Sequence, residues 1–145
     1  MKKNKELKKF DLIMKFYTDI EQSKELAEIL PLESADMHYA TWTILDGEFI
    51  VSPNQGSTIE DLQEDYGNQI IPCWSLAALI NIIPQEIFDR EYIINITEGC
   101  DNRWVLTYDH FENRNHSYYG LSTGADNLVD ACVEMIIKLK ELNLL

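Results

Sequence analysis

The sequence predicts an α+β fold: antiparallel β structure made of a hairpin and a three-stranded meander, covered by helices, with the joining of the five strands into one sheet left open. Three observations carry this. An Asp-Gly pair separates two apolar stretches, three later stretches alternate apolar and polar residues, and the chain closes on an amphipathic helical pattern. With 145 residues, 46% of them apolar and 26% charged, residues 1–145 read as a single globular domain.

The elements follow in chain order. Residues 1–6 read as a mobile basic tail. Residues 5–17 fit two periods: Leu7, Phe10, Met14 and Tyr17 follow a helix, while Phe10, Leu12, Met14 and Phe16 alternate like a strand. The helical pattern is the preferred one, and the choice stays open. In "IEQSKELAEIL", Ile20, Leu26, Ile29 and Leu30 share a helix face, with Thr18 and Glu21 at capping-box spacing and Pro31 as the stop.

In "HYATWTILDGEFIVSP", Asp46-Gly47 suits a two-residue type I′ turn. That register sets Ile44 against Phe49 and Trp42 against Val51, with Pro53 closing the second strand. Residues 53–70 read as a long loop, with a short helix from Thr58 to Glu64 capped by Ser57 or Thr58.

The run "IPCWSLAALINIIP", Ile71 to Pro84, is the most apolar in the chain. A spanning helix needs about 20 residues, so the run is too short to cross a membrane. It reads as a central core helix, with Pro72 in its first turn, Pro84 past its end and Trp74 as its bulkiest anchor. Ser75 and Asn81 fall on different faces, so such a helix is buried on most sides.

"EYIINIT" and "RWVLTYDH" flank the turn residues "EGCDN"; after "FENRNH", "SYYGLS" is a third, short strand. The last helix is capped by Asn127 with Asp130 three residues on. Val129, Cys132, Val133, Ile136 and Leu139 form its apolar stripe; Asp130, Glu134, Lys138 and Glu141 form its wet face.

Charge narrows the function. The net charge is −13, and the first 17 residues carry six Lys against Glu6 and Asp11. The remainder holds six basic and 23 acidic side chains, a net of −17. Such a body repels phosphates, so direct nucleic-acid binding is not expected, and a protein partner is. Cys73, Cys100 and Cys132 are widely separated, and the basic start lacks the apolar core of a secretory signal, which together fit a reducing cytoplasm.

The sequence holds only fragments of the known catalytic and metal-binding motifs. "HFENRNH" places His110, Glu112 and His116 in one turn, without the PCxxC or HExxH partners of known zinc patterns. There is no GxSxG elbow, Walker loop or GxGxxG. Cys73 has no charged neighbour in its run to lower its pKa. No catalytic residue, metal site or cofactor is assigned. The tryptophans read as core. The candidate partner surface is Tyr118 and Tyr119, an exposed pair on an edge strand, together with the acids Glu60, Asp61, Glu64 and Asp65.

Three segments carry a resemblance: Ser-Ala-Asp-Met at Ser34–Met37, Pro-x-Trp-Ser-Leu at Pro72–Leu76, and Val-Asp-Ala-Cys-x-Glu-Met at Val129–Met135. With these the chain resembles a family of small uncharacterised proteins from gut Bacteroidales genomes, prophages and mobile elements. The match spans most of the chain. One departure is Leu128, where the family often has Pro at the first helical position. The resemblance implies a cytosolic accessory protein of a mobile element and transfers no catalytic residue. The expected function is a small acidic non-enzymatic binding or regulatory module. Two alternatives stand beside it: an acidic DNA mimic that inhibits a DNA-binding protein, and an antitoxin similar in element order to the HicB type, with three strands and a helix over residues 92–142.

Overall fold

A computed structural model describes residues 15–41 and 48–145; the side chains of Asn68 and Tyr119 also lie outside the description. The basic tail, the period of residues 5–14, Trp42, Ile44 and the Asp46-Gly47 turn therefore fall outside it. The fold is α+β, built as two antiparallel sheets, so the five expected strands do not form one sheet. The chain divides into two compact units: Tyr17–Ala78, and Leu79–Leu145 with Lys15 and Phe16. Each is described by itself.

The Tyr17–Ala78 unit holds helix α1 (Ile20–Ile29), strands β1 (Met37–Thr41) and β2 (Phe49–Pro53), helix α2 (Ile59–Tyr66) and strand β3 (Ile70–Cys73). The cap of α1 is Asp19, not Thr18. Asp19 accepts from the Gln22 N–H at 2.8 Å, and the Gln22 side chain answers the Asp19 N–H. Thr18 is displaced from that role because it is buried, its hydroxyl serving Ser23 at 2.7 Å and the Trp74 N–H at 3.2 Å. The helix stops at Leu30, whose backbone is extended ahead of Pro31, as the pattern predicts.

The sheet runs in the order β2-β1-β3. Val51 faces Tyr39 and Phe49 faces Thr41, three positions from the expected register. Tyr39, Ile71 and Cys73 form one buried face, packed by Tyr17, Ile20, Met37 and Val51. Ala40 and Ile70, on the opposite face, are buried too. A sheet covered on both sides tolerates long apolar runs. That explains why "IIPC" is strand rather than the start of the expected core helix. Pro72 fits because β3 is an edge strand. In the expected loop, α2 runs two residues past the predicted end, is capped by the Thr58 hydroxyl, and ends on Gly67 at φ +62°.

Trp74 is wholly buried, and its indole N–H donates to the Ser34 hydroxyl at 2.9 Å. Next to it, the Ser75 N–H and hydroxyl both donate to the Asp36 carboxylate, and the Ser75 oxygen accepts the Ala78 N–H. Ser75 thereby opens helix α3 (Leu76–Ile82), which is only seven residues long. Ala78 and Leu79 are buried there, whereas Ile80 and Asn81 are exposed. The expected all-round burial is therefore confined to one side of a shorter helix.

The Leu79–Leu145 unit holds strands β4 (Glu86–Ile87), β5 (Tyr92–Glu98), β6 (Trp104–His110) and β7 (Ser117–Ala125), then helix α4 (Leu128–Glu141). The sheet is an antiparallel meander in chain order. Its inner face presents Leu106, Tyr108, Leu121 and Thr123, all buried. The α4 helix packs on β6 and β7. All five residues of its predicted stripe are buried, with Ala131 and Met135 added. Asn127 caps it through the Asp130 N–H at 2.9 Å. Among the described residues, no helix is long and apolar enough to cross a membrane.

Candidate functional site

The site lies along β5, where the sheet is left open among the described residues. Ile87 and Glu86 of β4 pair with Tyr92 and Ile93, and the Ile94 N–H reaches the Gln85 carbonyl at 3.0 Å. The ladder stops at Pro84. The Ile83 N–H, next in register to face β5, is taken instead by the Leu79 carbonyl of α3, and the Pro84 carbonyl accepts the hydroxyl of buried Tyr108. That bond draws the backbone off the edge toward the inner face. In an antiparallel strand, alternate residues direct their backbone polar groups to opposite sides. Ile94 points to the β4 side, so Ile96 and Glu98 do as well. Beyond β4 their N–H and C=O groups have no backbone partner among the described residues.

A groove runs beside this free edge. Ile80, Asn81, Ile83, Gln85, Ile94 and Ile96 line it, and it encloses about 380 Å³, within the range of small ligand pockets. Ile80 is 41% exposed and Ile96 36% exposed. A free strand edge beside an apolar groove is the arrangement that accepts an added strand.

The other end of β5 is an aromatic corner. Phe88, Asp89 and Arg90 have φ of +53°, +51° and +72°, a left-handed run without glycine. Such residues cost on the order of 1–3 kcal/mol each and persist only when their surroundings hold them. Here the Glu91 N–H returns to the Phe88 carbonyl, and the Glu91 carbonyl accepts the Phe111 N–H. The Phe88 ring packs on Tyr118 at 5.1 Å and Tyr92 at 6.2 Å, with Tyr92 and Tyr118 5.2 Å apart. At these spacings the rings touch one another, and no cation fits between them.

The histidines have structural tasks. The Nδ1 of His110 accepts the N–H groups of Glu112 and Asn113, so its proton sits on Nε2, 3.9 Å from the Glu91 carboxylate. That distance exceeds hydrogen-bond reach. The His38 Nδ1 donates to Asn54, whose amide is fixed by the Ala35 carbonyl. Among the described residues, no three of His, Cys, Asp and Glu are placed to hold a metal. Burial pushes the Cys73 thiol up, while hydrogen bonds from Thr18 and Ser23 partly oppose it. Hydrogen bonds from Ser117, Thr107 and Asn95 outweigh partial burial and hold the Asp109 carboxyl below the usual range.

Of the residues singled out from sequence, Tyr118 lies on edge strand β7 but is half-buried in the aromatic corner. The side chain of Tyr119 lies outside the description. Glu60, Asp61, Glu64 and Asp65 are all exposed on α2, in the other unit. Sequence reasoning missed Ile80, Ile96 and the free edge. Two of the segments that carry the resemblance turn out to meet: Ser34 and Asp36 hold Trp74 and Ser75. The third lies in α4, where Val129, Ala131, Cys132, Val133 and Met135 are buried. These segments build the fold rather than the groove. No protein-family model, curated protein or solved structure matches the chain.

Proposed function

We propose that the chain is a small non-enzymatic binding module that engages a protein partner by strand addition along β5. The observation that carries this is the backbone of Ile96 and Glu98, unpaired on the β4 side among the described residues, beside exposed Ile80 and Ile96. Strand addition supplies affinity through main-chain hydrogen bonds and specificity through pockets for alternate side chains. The resemblance to Bacteroidales mobile-element proteins supports the setting, a cytoplasmic accessory protein. The acidic composition supports a partner other than nucleic acid.

Site-specific photo-crosslinking in cells tests the mode. A photoreactive residue at position 96 should give one discrete adduct with another protein. The same residue at position 134, on the wet face of α4, should not. Ile80→Asp should remove the adduct at 96. Identical adducts from both positions, or an adduct unaffected by Ile80→Asp, would refute docking at β5.

A further inference from the structure

We infer that the segment added to β5 is an extended stretch of a partner chain carrying Lys or Arg among alternating apolar residues. This rests on the docking reading above and adds the chemistry of the occupant. From Gln85 to Glu98 the chain carries Glu86, Asp89, Glu91 and Glu98 against a single base, Arg90. Arg90 is already engaged, its Nε donating to Glu86 at 3.3 Å. Arg103, just past the next turn, donates to the Gly124 carbonyl and lies 3.9 Å from Asp126. Glu98 is exposed at the open end of the edge and forms no ion pair among the described residues.

A strand laid against Ile96 and Glu98 sends every second side chain to the inner face, into the groove between Ile80, Ile83 and Ile96. Small or medium apolar residues fit there. A Lys or Arg beside the Glu98 end meets an unanswered carboxylate at the rim, where a charge contributes to steering and register. A second copy of this chain fits poorly. Antiparallel self-pairing centred on Ile96 would set Glu98 opposite Ile94 of the other copy, bringing a carboxylate to an apolar groove. It would also join two bodies of net charge −13 each.

The test is selection from a displayed library of random twelve-residue peptides against the full chain, in parallel with its Ile96→Asp and Ile80→Asp variants, both checked for an unchanged melting curve. Enriched peptides should carry apolar residues at every second position, with a Lys or Arg on that same face at the Glu98 end, and bind the natural chain at least tenfold tighter than either variant. They should slow hydrogen exchange at the Ile96 and Glu98 amides. Glu98→Gln should weaken them severalfold and flatten their salt dependence. Peptides that need Ile96 and Ile80 but lack basic residues, with Glu98→Gln harmless, would overturn the basic partner and leave strand addition standing. Peptides that bind the variants equally, or no enrichment over them, would overturn both. Self-association of the chain that Ile96→Asp abolishes would assign the edge to a second copy and overturn the inference.

Discussion

Ile96 and Leu106 face each other across β5 and β6, on the same face of the same sheet, and both are large aliphatics. Leu106 is wholly buried, while Ile96 is 36% exposed. Neither strand propensity nor alternation separates them. The difference lies in what covers each. The α4 helix packs on β6 and β7 and shields Leu106; beside β5 the chain turns away at Pro84 and leaves a groove. Cross-strand pairing fixes which residues meet, and the neighbouring layer fixes whether the pair is core or surface.

The largest expected effects come from sites with complete cover. Trp74→Ala should cost about 3–5 kcal/mol, since it removes a wholly buried ring and leaves Ser34 without its donor. Leu106→Ala should cost about 2–5 kcal/mol by the same cavity argument. Urea unfolding of each variant measures this. Unchanged stability in Leu106→Ala would show that α4 does not seal β6, and the contrast with Ile96 would collapse.

The thiols extend the comparison. Cys132 lies on the buried face of α4, and burial pushes its thiol up to about 12; Cys100 is exposed in the β5–β6 turn. A folded pKa above the unfolded value of 9.0 means that the stabilisation is intact below pH 9. It is lost as the pH rises toward 12, because the unfolded chain releases the proton first. The melting temperature should therefore fall above pH 9, and Cys132→Ala should make that fall shallower. Tyr39 and Tyr108, also raised by burial, act in the same direction. In native protein at pH 8 a thiol reagent should titrate Cys100 alone; rapid modification of Cys132 would place it outside the core.

Tyr108→Phe is a smaller perturbation aimed at the boundary of the open edge. It keeps the buried ring and deletes the hydroxyl that holds the Pro84 carbonyl. A carbonyl left without its partner costs about 1–3 kcal/mol. Because that bond turns the chain off the edge, hydrogen exchange at the Ile94 amide should speed up relative to Asn95. If Ile94 and Asn95 respond equally, the bond stabilises the unit as a whole and does not shape the edge.

Much of the fold was legible where one residue type had one use. Asn127 and Asp130 marked the start of α4, its stripe marked its buried face, and Pro31 marked the end of α1. The α+β class followed from these and from the meander. Legibility failed where local rules competed with distant partners. Thr18 has capping chemistry but is consumed by Ser23 and Trp74. "IIPC" reads equally as buried helix or buried strand, and its pairing with β1 decides. The candidate site was the least legible part. A free edge is defined by which strand fails to arrive, and its causes, Pro84 and a tyrosine 24 residues away, form no local pattern.

Ile96→Ala is the smallest expected effect and bears most directly on the comparison. Leu106→Ala opens a cavity. Ile96→Ala trims a side chain that already meets solvent on one side, so transfer free energy is only partly lost and no sealed void forms. The cost should stay below about 1 kcal/mol, compared through urea midpoints with Leu106→Ala. A cost equal to that of Leu106→Ala would mean that β5 is covered in solution. If the cost then grew with protein concentration, the cover would be another copy of the chain. A small, concentration-independent cost would leave Ile96 free for a partner: a large aliphatic that the fold does not use.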